Sequence, residues 1–262
     1  MVNSYSYNGN QYIPRSSNDG LRGYILASLA SGGVMGAIMP LCSKPFSKQL
    51  IKEHTQNNLY KDAFEKSIED SGLAKQGVKI IPAQFFHDMS NEACGTNAFF
   101  NPHNKNIVIN TDKISIAGFH EAGHAMNDLN GKVGKFLSKL RNPGRCAAGL
   151  LGTLALFSTP KPKEAPRDFK DWLRDNCGKL AFACMLPTVF EEGMASWKGL
   201  KLAKASGLAK PLIKNMQKLY AKALLTYIGH ATATGLGVGL AGMIMERYTR
   251  PKKVETDDFF LF

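Results

Sequence analysis

His120-Glu121-Ala122-Gly123-His124 sets two imidazoles at i and i+4 with a carboxylate between them. On a helix, residues four apart share one face, about a turn apart, so both rings can reach a single Zn²⁺. Glu121 points to the adjacent side, where it can take a proton from water activated by the metal. A catalytic zinc takes a third protein ligand and keeps one position open. No further His occurs between His124 and His230. Asp128 is on the same helix face, but at about 1.5 Å rise per residue it lies roughly 12 Å along the axis from His120, too far to share the metal. Glu191 and Glu192 remain, directly after an uncharged run and before Gly193-Met194-Ala195-Ser196. One of this pair is the candidate third ligand. The competing reading makes them first-turn acids that complement a helix dipole.

These residues need elements to hold them. Val78, Ile80 and Ile81 predict a short strand stopped at Pro82, and Asn97-Ala98-Phe99-Phe100 a second. A turn at Asn101-Pro102-His103-Asn104 leads into a third strand at 106–110. A helix from about Ser115 to Asn130, ended by Gly131, then carries the His pair. Gly123 on this helix leaves room for the close approach of a second one.

Around this segment the sequence is apolar in blocks. Residues 23–43 run 21 positions without a charge, and residues 223–245 run 23. Both reach the roughly 20 residues of a spanning helix. Two shorter uncharged stretches, 146–158 and 180–190, are too short to span alone and read as a re-entrant apolar hairpin, a pair of spans that use some polar flank, or two core helices. Residues 198–222 carry seven lysines and no acid, which suits a solvated or an interfacial helix. The mean hydropathy of −0.19 averages over this segregation.

The net charge of +12, from 33 Lys+Arg against 21 Asp+Glu, fits an anionic membrane face. A nucleic-acid partner is not expected, since the lysine series has no interleaved aromatics before Tyr220. The five cysteines show no CxxC spacing, which argues for reduced, buried thiols over a disulfide framework or a Cys-based zinc site.

The order of strand, H-E-x-x-H helix, apolar hairpin and Glu192-Gly193-Met194-Ala195 resembles the membrane-bound gluzincin peptidases. These include the CAAX prenyl endopeptidase and the bacterial heat-shock membrane protease. The resemblance covers residues 94–196 and includes Asn97-Ala98-Phe99, the Ile107-Val108-Ile109 strand and His120 to His124. It implies that Glu192, within E-x-x-A, is the third ligand rather than Glu191. It also implies one Zn²⁺ per chain, Glu121 as general base, and a strand at 106–110 whose edge pairs with an extended substrate. Ser196 stands where that family has an Asp that orients a zinc His.

The expectation is therefore an α+β, mostly helical protein with a zincin-like H-E-x-x-H helix, a small antiparallel sheet and membrane-associated helices. Its segments would be a flexible tail at 1–20, an apolar helix at 21–43, a metallopeptidase domain at 44–222 with an apolar hairpin at 146–190, a second apolar helix at 223–246 and a tail at 247–262. Its expected function is zinc-dependent hydrolysis of peptide bonds in membrane-embedded or misfolded substrates. Lys44, Lys48 and Lys52 after the first apolar run favour a cytoplasmic catalytic part of an integral membrane protein. The alternative is a non-catalytic membrane protein with a vestigial or structural zinc site.

Overall fold

The computed structural model describes residues 5–7, 10–54, 59–83, 98–112 and 114–254. In chain order the elements are β1 (Tyr5–Tyr7), β2 (Asn10–Ile13), α1 (Ser17–His54), α2 (Lys61–Asp70), β3 (Lys79–Pro82), β4 (Ala98–Asn101) and β5 (Asn106–Ile109). They continue with α3 (Ile116–Asn130), α4 (Lys132–Phe157), α5 (Phe169–Asp175), α6 (Cys177–Ala205), α7 (Lys210–Thr249) and β6 (Lys252–Lys253). The protein is mostly helical, with two small sheets. It divides into two compact units, and each chain crossing between them falls inside a long helix: α1, α4, α6 or α7.

The unit formed by Pro40–Pro143 and Leu186–Gly229 contains the H-E-x-x-H helix. Its sheet has the order β3-β5-β4. β5 lies in the middle, parallel to β3 and antiparallel to β4. The sheet is thus mixed rather than antiparallel, and the 106–110 strand has no free edge to offer a substrate. β4 is the edge strand that touches α3. Ile107, Val108 and Ile109 are all buried, as a strand covered on both faces requires. The β4–β5 turn is fixed locally. Asn101 Oδ1 accepts from the His103 amide at 3.0 Å, Asn104 Oδ1 accepts from the Asn106 amide at 3.2 Å, and Lys105 takes φ 57°. Phe64 of α2 meets Phe119 of α3 edge to face at 5.5 Å, and Ile107, Ile109, Ala122, Met216 and Leu219 join them in the core.

The other unit comprises Met1–Met39, Gly144–Met185 and His230–Phe262. Here helices meet through small residues. A Cβ on Gly144 would lie 2.3 Å from the Cys184 carbonyl oxygen, and one on Gly178 2.7 Å from Gly239 Cα. Large apolar residues, including Leu21, Leu29, Leu150, Leu236 and Met243, are instead exposed. Among the described residues, two helices, Ser17–Phe46 and Lys210–Thr249, are long and apolar enough to cross a membrane. Only 6% of the first one's apolar window is buried, against 44% for the second, so α1 is no core helix.

Several expectations are corrected. Residues 1–20 are not a plain tail: β1 and β2 pair there, and the buried Tyr12 donates its hydroxyl to Glu164 at 2.8 Å. At the other end, β6 pairs with β2, while residues 255–262 lie outside the described residues. The apolar stretches at 146–158 and 180–190 belong to the long helices α4 and α6, with α5 between them. The lysine series is broken at 206–209, where α6 has ended and Gly207 takes φ 84°. Cys42, Cys146, Cys177 and Cys184 are free thiols, but only Cys177 of these is buried, Cys42 and Cys184 are half-buried and Cys146 is exposed; Cys94 and Asn97 lie outside the described residues.

Candidate metal centre

Ser115 starts the site. Its side chain accepts from the Ala117 amide and caps α3, and Gly131 ends the helix at the position expected from the sequence. Between them His120 and His124 project together, with ring centroids 4.6 Å apart and edge to face. α6 crosses α3 at contact distance because each helix places a glycine against the backbone of the other. A Cβ on Gly123 would sit 2.0 Å from the Ala195 carbonyl oxygen, and one on Gly199 2.3 Å from that of Phe119. This backbone-to-backbone approach brings the middle of α6 onto the His pair.

Glu191 and Glu192 are therefore mid-helix residues of α6, not first-turn acids, and the dipole reading of them falls. Both are almost fully buried. Glu192 Oε2 lies 3.1 Å from His120 Nε2 and 3.5 Å from His124 Nε2, and the two Nε2 atoms are 3.1 Å apart. His120, His124 and Glu192 thus form a group able to hold a metal ion, and Asp128 is not part of it. Glu191 turns to the far side of the second ring, where its Oε1 is 2.7 Å from His124 Nδ1. Ser196 Oγ is 3.1 Å from His120 Nδ1. Ser196 Oγ and Glu191 Oε1 thus hold the two rings at Nδ1, and the two Nε2 atoms face a shared point beside Glu192 Oε2. Tetrahedral zinc with bonds of about 2.0–2.1 Å sets its ligand atoms roughly 3.3 Å apart, and the observed spacings fit that donor set.

Arg141 of α4 closes the arrangement. Its Nη1 donates to Glu191 Oε2 at 2.9 Å and its Nη2 pairs with Glu192 Oε1 at 2.7 Å. Asn127 Nδ2 adds a bond to Glu191 Oε1 at 3.2 Å. Tyr227 of α7 also reaches Glu192. Glu121 is buried on the neighbouring face, where its Oε2 accepts from the Phe100 amide of β4 at 2.8 Å.

The burial sets the charges. Loss of solvent pushes the Glu121 carboxyl up, against the pull of the two imidazoles. Burial would lower His124, but its hydrogen bonds to the Glu191 and Glu192 carboxylates outweigh that and raise the imidazole to about 10. Burial would raise Glu192, but its bonds to His120 and His124 hold it far below the usual carboxylate range.

Sequence reasoning located the His pair, Glu121 and both glutamates, but not Arg141. Arg141 sits in a basic stretch that reads as solvated surface, and its contact with α6 spans 50 positions of sequence, beyond any local pattern. No family model matches the chain, and neither a curated protein nor a solved structure matches it.

Proposed function

We propose that this chain is a membrane-associated, zinc-dependent endopeptidase with a zincin-like catalytic unit. The observation that carries the reading is the convergence of two imidazole nitrogens and one buried carboxylate oxygen beside a second, separately held carboxylate. A site serving structure alone has no use for that second carboxylate. His120, His124 and Glu192 would hold the metal. Zinc, when bound, supplies a Lewis acid that polarises a carbonyl and lowers the pKa of water toward about 7.

The remaining work falls to the chain's own residues. Glu121 takes a proton from the attacking water and delivers it to the leaving amine; burial, by raising its carboxyl, brings it nearer the range where a base works at neutral pH. The Phe100 amide holds one Glu121 oxygen and leaves the other to move that proton. Ser196 and Glu191 fix the two imidazoles from behind. β4, the edge strand against α3, is the element beside which an extended substrate would lie.

Membrane association is supported by the glycine-lined helix contacts and outward leucines of the second unit, the inverse of a soluble core. The test is hydrolysis of an unfolded protein such as casein by the purified full chain. Cleavage should stop with 1,10-phenanthroline and return with added zinc. Cleavage that persists after the metal is stripped would refute the reading.

A further inference from the structure

A cavity of about 400 Å³ lies in the unit of Met1–Met39, Gly144–Met185 and His230–Phe262, beside the last turns of α7. Arg15, Lys163, Arg247 and Arg250 line it, with Met243 and a single acid, Glu246. Glu246 is engaged by Arg250 one turn later, so three cations remain without a carboxylate from this lining. Arg15 Nε donates to the Arg250 carbonyl at 3.2 Å, which brings the residues before α1 to the end of α7. Arg250 Nε is buried and has no hydrogen-bond partner among the described residues. A buried donor of this kind calls for an acceptor, and a cluster of guanidinium groups suits the oxygens of a phosphate.

An apolar track adjoins these cations. Leu236, Met243 and Arg247 stand at i, i+7 and i+11 on α7, which places them within about 20° of one line along the helix, and all three are exposed. The stripe runs from hydrocarbon to guanidinium. A soluble anion would use only its end; a lipid would use all of it. We propose that this cavity binds the phosphate of an anionic glycerophospholipid, whose acyl chains lie along the Leu236–Met243 stripe. The inference rests on the membrane reading of this unit but goes beyond it, because insertion by itself requires no lipid preference.

The test uses the full chain in neutral detergent, offered phosphatidylglycerol and phosphatidylcholine in equal amounts and examined by native mass spectrometry. The wild type should retain phosphatidylglycerol about tenfold over phosphatidylcholine. Arg15→Gln combined with Arg247→Gln should abolish that preference, with phosphatidylcholine retention and zinc content unchanged, while Arg247→Lys alone should largely keep it. Equal retention of the two lipids by the wild type, or an undiminished preference in the double variant, would overturn the proposal. Displacement of the lipid by millimolar inorganic phosphate would overturn the lipid source and assign the cavity to a soluble phosphate. Flotation with pure phosphatidylcholine vesicles checks the membrane reading separately: a wild type that fails to float refutes that reading and the lipid site with it.

Discussion

His120 and His124 share one motif yet are held differently, one against a hydroxyl and the other against a carboxylate that is itself clamped by Arg141. A carboxylate behind a ligating imidazole raises its basicity. Glu192→Gln should therefore remove most zinc, whereas Glu191→Gln and Arg141→Met should each weaken binding about 10- to 100-fold without abolishing it. Competition with a chromophoric chelator measures both effects, and equal losses from Glu191→Gln and Glu192→Gln would contradict the division of roles. The protons report on the same geometry. In the metal-free chain, His124 raised to about 10 lends stability that is fully present below its ordinary value of 6.5 and is lost as pH rises through 10. The depressed Glu192 lends stability present above its ordinary value of 4.5 and lost as pH falls below it. Zinc must displace the His124 proton, so binding at pH 7 should release about one proton. Calorimetry in buffers of different ionisation enthalpy measures that release, and a binding heat independent of buffer would refute it. The His pair was legible in the sequence because i, i+4 is a local rule. The choice of Glu192 over Glu191 was legible only through the E-x-x-A resemblance, because adjacent helical residues point about 100° apart and the tertiary contact decides which one meets which ring.

Among the elements, the α3–α6 crossing decides whether a site forms. Gly123→Val places atoms where the Ala195 carbonyl stands, and backbone cannot rotate away as a side chain can. The expected cost is on the order of 3 kcal/mol, with loss of zinc. Gly149→Ala in α4, where an added Cβ meets nothing within 4 Å, should be neutral or slightly stabilising. Denaturant midpoints and zinc content of the two variants test this contrast, and a Gly123→Val chain with wild-type stability and zinc would remove the crossing from the account. The limits of α3 were readable because Ser115 and Gly131 mark them chemically. The central place of β5 was not, because its parallel partner β3 comes from residues 79–82, across a long connection that leaves no periodic trace. The mid-helix setting of the glutamates was hidden for a related reason: acids directly after an uncharged run suit a first turn, yet α6 runs unbroken from that run through both, with Pro187 inside it.

For the whole molecule, the +12 charge and the apolar runs are legible as a sum and misleading as an average. The exposed leucines of the second unit and the nearly unburied α1 window give the physical basis for expecting the chain to stay with membranes after washing at high salt and alkaline pH. Release of the whole chain by such a wash would contradict the membrane reading and leave the metal centre untouched. Hydrolysis of peptide bonds through a zinc site is proposed to need Glu121 as its base. The most direct measurement compares wild type and Glu121→Gln, each shown to carry one zinc, on the same unfolded protein substrate. Equal zinc is expected in both, with cleavage by the wild type and a loss of at least about 100-fold in the variant. Equal cleavage by the two zinc-loaded proteins would contradict that role for Glu121.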